Sequence, residues 1–120
     1  MAATKTTVKS TPPKGNPWMG SCPSRELMGV LASKWVLLVM PLLDDGPRRN
    51  NDLMRAIDGI SQKMLTQTLR ALEERQLITR RDYGEIPPRV EYELTPLGRS
   101  LARAVNVLDK WVIDNYHRTM

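Results

Sequence analysis

A single glycine, Gly59, separates two apolar patterns of helical spacing, and this restricts what the chain can become. Before it, Leu53, Met54 and Ile57 fall on one face of a short helix. Asn51 reads as the N-cap of that helix, with Asp52 favoured beside its positive end. After it, Ser61 reads as the N-cap of a longer helix reaching about Arg75, whose stripe is Met64, Leu65, Leu69 and Leu72. Ile60, just before the cap, and Leu65, within the first turns, fit a hydrophobic staple. Two helices joined by a short glycine turn, the second strongly amphipathic, spell a helix-turn-helix.

The flanking segments extend that motif. Pro23 suits a first helical position, and Leu27, Val30 and Leu31 share a face over about Pro23 to Ala32. A second apolar helix is predicted from Lys34 to Leu43, closed by Asp45-Gly46-Pro47, with a kink or early stop at Pro41. Beyond the amphipathic helix, a strand is predicted over about Leu77 to Asp82 and another over Val90 to Thr95. In the second, Val90, Tyr92 and Leu94 alternate with Glu91 and Glu93, as a half-buried strand requires. The two strands form a β-hairpin with a proline-stiffened tip. Thr95-Pro96 then caps a terminal helix running toward Tyr116, with Leu97, Leu101, Ala104, Leu108, Trp111 and Asn115 along one side. The expected fold is mainly α with a small β-hairpin, a winged helix-turn-helix with an added C-terminal helix. Residues 21–120 form that domain. Residues 1–20, poor in anything to bury, form a flexible basic tail in which Trp18 and Met19 could anchor the end.

Charge narrows the partner. The 120 residues carry 18 Lys plus Arg against 13 Asp plus Glu, a formal charge of +5. Four of the basic groups (Lys5, Lys9, Lys14, Arg25) lie in an acid-free N-terminal stretch, and residues 47–89 carry a further net excess of three. That second excess coincides with the helix-turn-helix and the hairpin, which makes double-stranded DNA the first partner to consider. One cysteine excludes an internal disulfide framework. No apolar run approaches the ~18 residues needed to span a bilayer, no signal-peptide core is visible, and a cytoplasmic protein is expected. One cysteine and one histidine, His117, fall short of a closed zinc shell. No phosphate loop, carboxylate pair or Ser/His/Asp constellation appears, so neither metal, cofactor nor enzymatic activity is expected.

The outward residues of the amphipathic helix are Gln62, Lys63, Thr66, Gln67 and Arg70, with Ser61 at its start. Glutamine can read adenine, lysine and arginine can read guanine or phosphate, and a threonine methyl can meet thymine. The blander alternative is a solvated helix face. Arg89 and Arg81 are placed on the hairpin as wing contacts to phosphate or minor groove. Against this, Arg80 or Arg81 could pair with Glu91 or Glu93 across the hairpin; Arg89 is the better DNA contact and Arg80 the better structural residue. Arg48, Arg49 and Asn51 could clamp the backbone ahead of the third helix. Leu27, Leu101, Leu108 and Trp111 are placed in a homodimer interface through the N- and C-terminal helices, because the terminal stripe exceeds what one small domain covers; packing back onto the same chain is the alternative. Cys22, at a helix start near Arg25, combines two conditions for a low thiol pKa, while a small packed residue is the plain reading.

Several blocks together resemble the HxlR-type transcriptional regulators. They are Cys22-Pro23, Lys34-Trp35, Gly46-Pro47-Arg48-Arg49, the run Gly59 to Thr66, Leu69 to Glu73, Pro87 to Tyr92 and Leu94 to Gly98. The resemblance covers about Cys22 to Trp111. It implies a homodimeric winged-helix protein on a palindromic operator, a repressor, responsive to an oxidant or electrophile through Cys22 or to a small molecule at the dimer seam. Two positions depart from the pattern: Asn50, where an aromatic or aliphatic residue is usual, and Pro41, inside the second helix. A winged helix used for protein interaction without sequence-specific DNA binding, and a small cysteine-dependent enzyme, are the competing classes.

Overall fold

The computed structural model describes residues 13–120. Lys5 and Lys9 of the predicted basic tail lie outside the described residues. Two compact units are present, one ending at Val30 and the other running from Leu31 to Met120.

In the first unit, turns over residues 17–22 lead into helix α1 (Pro23–Leu31). Arg25 organises those turns: its guanidinium donates to the carbonyls of Pro17 and Trp18, each at 2.9 Å. The side chains of Trp18 and Met19 are both exposed.

The second unit begins with α2 (Lys34–Asp44), capped by the Ser33 hydroxyl, which accepts from the Trp35 amide. Pro41 does not stop α2, which continues for another three residues. Burial of Val36, Val39, Met40 and Leu43 holds the helix together across the missing N–H. A two-residue strand, β1 (Arg48–Arg49), leads directly into α3 (Asn50–Ala56). The N-cap is Arg49 rather than Asn51, since the chain leaves β1 already extended at residue 49 and the Asp52 carboxylate, three residues on, accepts the Arg49 amide at 3.1 Å. Gly59, at φ +86°, makes the turn to α4 (Gln62–Glu74). There the Ser61 hydroxyl accepts from the Met64 amide, as its sequence position predicts. The buried stripe of α4 is Leu65, Thr68, Leu69 and Leu72, with Met64 at its half-buried edge; Thr68 is hidden because its hydroxyl donates to the Met64 carbonyl at 2.7 Å.

Helix α4 ends in a Schellman arrangement. The Leu77 amide donates to Leu72 and the Gln76 amide to Glu73, with Gln76 in the left-handed region at φ 62°. Strands β2 (Ile78–Asp82) and β3 (Val90–Leu94) follow, and β1 adds to the outer side of β3. The expected two-stranded hairpin is therefore a three-stranded antiparallel sheet of order β1-β3-β2. Strand β1 was not legible because two arginines carry no alternation. Register pairs Arg48 with Tyr92 and Arg49 with Glu91 on one side, and Arg81 with Glu91 on the other.

Thr95 binds the end of the sheet to the last helix, α5 (Pro96–Asn115). Its hydroxyl donates to the Gln76 carbonyl at 2.7 Å and accepts from the Gly98 amide at 2.9 Å, while its own amide donates to Leu77. Gly98 lies so close to the Leu77 carbonyl that a Cβ there would overlap it. A 3-10 turn (Tyr116–Thr119) ends the chain. The face of α5 turned to the core is Gly98, Ala102 and Val105, joined by half-buried Leu101. Of the predicted stripe, Leu101 borders this face, while Leu97, Leu108 and Trp111 are exposed.

Candidate nucleic-acid interface

Helix α4 is positioned by its buried stripe, which fixes its rotation about its own axis. With Leu65, Leu69 and Leu72 inward, Gln62, Lys63, Thr66, Gln67 and Arg70 are all exposed. Gln62 and Thr66 are joined by a 3.0 Å hydrogen bond one turn apart, which pre-arranges two polar groups on the open face. The lone pair of Ser61 used in capping leaves its O–H free to donate outward.

The three arginines ahead of α4 differ in freedom. Arg48 is drawn to the end of α2, donating to the Leu42 carbonyl at 3.2 Å and lying 3.6 Å from Asp45. Arg55 is paired with Asp52 at 2.6 Å. Arg49 and Asn51 are exposed beside the start of α3.

The wing is an internally bonded loop. The Tyr83 amide donates to the Arg89 carbonyl at 2.9 Å, closing the turn between β2 and β3. The Arg89 guanidinium lies 3.9 Å from the centre of the Tyr83 ring and is flanked by Glu85 at 3.6 Å and Glu91 at 3.5 Å. Arg81 also lies over Tyr83, at 4.9 Å, and remains exposed. The Tyr83 hydroxyl donates to Glu91 at 2.8 Å. That bond, more than the charges of Arg89 and Arg49, holds the Glu91 carboxyl below its ordinary value against a partial burial that raises it. Glu91 is thus satisfied by Tyr83 and Arg89, not by Arg80 or Arg81 as the cross-hairpin alternative supposed. Arg89 is partly engaged in building the wing, and Arg80 is exposed. Tyr83 is a wing residue that sequence reasoning missed, and Glu91, expected there as a partner of Arg80 or Arg81, is held by it instead. The placement of Tyr83 two residues after Arg81, with Glu91 opposite Arg81, could have suggested Tyr83 once the register was known.

In the first unit, the Cys22 sulfur lies 3.1 Å from the Ser24 hydroxyl and accepts the Asn16 amide at 3.3 Å. These bonds, the Ser24 hydroxyl first, hold the thiol below its ordinary pKa. The direction agrees with the sequence expectation, and the backbone amide of Ser24 at the helix start contributes to it, whereas Arg25 is turned to backbone carbonyls instead. Leu27 is half-buried in α1. His117 stacks edge-on against Tyr116, and among the described residues no His/Cys/Asp/Glu group is arranged to hold a metal. No single helix among them is long and apolar enough to cross a membrane.

Comparison with known proteins agrees with this geometry. Residues 30–120 match the family model described as HxlR-like helix-turn-helix. The HTH-type transcriptional regulator YtfH of Escherichia coli K12 is 42% identical over 99 residues, covering 82% of this chain and 79% of the relative. Among solved structures, the transcriptional regulator ytfH from Salmonella typhimurium superposes with a TM-score of 0.83 at 40% identity, covering 88% of this chain and 95% of the other. The redox regulator HypR in its oxidized form superposes with a TM-score of 0.72 at 36% identity, covering 78% and 97%.

Proposed function

The chain belongs to the HxlR-like helix-turn-helix family of transcriptional regulators, and from that membership we propose that it is a homodimeric repressor binding a palindromic operator. The observation that carries this reading is α4, whose one face is locked in the core while the other offers five consecutive-turn polar side chains. An α-helix of this kind fits the major groove, with residues near its N-terminus nearest the bases. In this reading Gln62, Lys63, Thr66, Gln67 and Arg70 meet base edges or phosphates. Ser61, Arg49 and Asn51 position the backbone, Arg48 supports them, and Arg81 and Arg89 serve the wing.

Two recognition helices must sit about one DNA turn, ~34 Å, apart. The exposed Leu108 and Trp111 of α5, with Leu101 beside them and Leu27 of α1, supply the apolar surface for the dimer that sets this spacing. Changing the spacing by a few Å disfavours engagement of both half-sites, so modification at the seam becomes loss of binding. Cys22 is the sensing thiol in this reading, supported by its lowered pKa and by similarity to a redox regulator. An adduct or a sulfenic acid needs no second cysteine.

The test is a gel shift with DNA from the region upstream of the protein's own gene, against random duplex, over a salt series. The reading requires a clear preference for the upstream DNA and a steep fall of affinity with salt. Equal affinity for random DNA at moderate salt overturns it and favours a protein-interaction module. For Cys22, affinity is compared before and after a quinone or peroxide; an unchanged response in Cys22→Ser removes the sensing role.

A further inference from the structure

Pro41, inside α2, is not used by the DNA-facing surface, yet it lines a cavity. Leu37, Leu38, Pro41 and Leu42 of α2 form one wall of this space of about 690 Å³. The end of α3 and the turn after it, Ala56 to Asp58, form a second, and the C-terminal half of α5 a third. The volume is that of a small-molecule site, and the walls are predominantly aliphatic.

Its polar groups have one sign in excess. Asp58, Asp109 and Asp114 face the space together with a single cation, Lys110, which is already paired with Asp114 at 2.6 Å. Asp58 and Asp109 have no ion-pair partner among the described residues. Asp109 is half-buried, and burial raises its pKa, so its ionised form gains from a cation placed beside it. Pro41 cannot donate to the Leu37 carbonyl four positions earlier, which leaves that carbonyl without its intrahelical partner.

On α5, Asn106, Asp109 and Ile113 continue the core-facing direction of Ala102 and Val105, whereas Leu108 and Trp111 lie roughly a third of a turn or more away at ~100° per residue, with the lining residue Val112 next to Leu108.

We propose that this cavity between α2, the α3–α4 turn and α5 is an effector site for a lipophilic organic cation. The inference rests on the regulator reading and specifies its effector. Its structural logic is that the α3–α4 turn sets the start of the recognition helix while α5 carries the dimer surface. A molecule wedged among them acts on both at once.

Tetraphenylphosphonium and tetraphenylborate have nearly the same shape and opposite charge, and they make a direct probe pair. Calorimetry on the full chain is expected to show saturable binding of the phosphonium with at least ~10-fold preference over the borate. Asp109→Asn is expected to weaken that binding about fivefold or more, and Leu38→Trp, which fills the space from a partly exposed position, to abolish it. Circular dichroism melts of each variant separate loss of binding from loss of folding. Phosphonium binding is also expected to shift operator affinity by several-fold in the gel shift. Equal binding of both probes, or binding indifferent to Asp109→Asn in a folded variant, overturns the site. So does failure of the phosphonium to bind while Leu38→Glu converts dimer to monomer, which assigns the groove to a second copy. Selective DNA binding without probe binding sinks the effector site alone, whereas absence of selective DNA binding in the ligand-free protein sinks the regulator reading whatever the probes do.

Discussion

Arg89 stacks on Tyr83, its guanidinium 3.9 Å from the ring centre, while the same tyrosine's hydroxyl fixes Glu91, the carboxylate that flanks Arg89. The wing's cation is therefore held by an aromatic face and a carboxylate that are themselves bonded to each other. Such an arrangement orders an arginine without neutralising Arg81 and Arg80 beside it.

Tyr83→Phe keeps the ring and removes the bond to Glu91. Operator affinity is expected to fall by roughly threefold to tenfold, about one net hydrogen bond's worth, with the slope of log affinity against log salt unchanged. Fluorescence anisotropy at several salt concentrations checks both. A reduced slope would instead mean that a phosphate contact had been lost.

Acid should loosen the wing through Glu91. Its folded pKa lies below the unfolded value, so its ionised form stabilises the fold at pH above about 4.5, the ordinary value. That contribution is lost as pH falls through the lowered folded pKa. Urea melts between neutral pH and pH 3 are expected to show a smaller acid loss for Glu91→Gln than for the natural protein. Equal acid sensitivity would show that other carboxylates carry it.

Gly98→Ala places a Cβ against the Leu77 carbonyl, which already accepts the Thr95 amide. Either α5 shifts or that bond lengthens, and a loss of about 3 kcal/mol is expected, the upper part of the usual overpacking cost. A thermal melt measures it. A loss under ~0.5 kcal/mol would mean that the start of α5 yields freely.

Lys63→Ala and Gln67→Ala separate charge from reading on α4. If Lys63 meets phosphate, its loss weakens binding to all sequences alike and lowers the salt slope by about one. Loss of Gln67 is expected to cost on the order of 1–3 kcal/mol of discrimination at one base pair, with the slope intact. Anisotropy on operators mutated one position at a time distinguishes the two patterns.

Trp111→Glu puts a charge into the exposed apolar side of α5. Sedimentation is expected to show a monomer, with operator affinity reduced at least a hundredfold because each half-site is then bound separately. A variant that stays dimeric would exclude this side of α5 as the interface.

The helical elements and the cap residues Ser61 and Thr95 were legible because caps and apolar periodicity are local properties of the chain. The capping hydroxyls sit where the sequence puts them, on Met64 and Gly98. The outward set on α4 was legible too, since a buried stripe at helical spacing defines its complement. The cap of α3 was misjudged by two residues because strand β1, made of Arg48 and Arg49, forms only by pairing with Tyr92 and Glu91 more than forty positions away.

By itself, then, the sequence determined where helices begin, which face of α4 is buried and where positive charge accumulates, since each depends on neighbours within a few residues. Tertiary structure decided the rest: which arginine builds the wing, which side of α5 meets the core, and that Pro41 opens onto a cavity. Those outcomes depend on strand register and on which helices meet. They are settled by contacts between residues such as Tyr83 and Glu91, or Asp44 and Asn106, whose 3.0 Å hydrogen bond joins α2 to α5 across 62 positions.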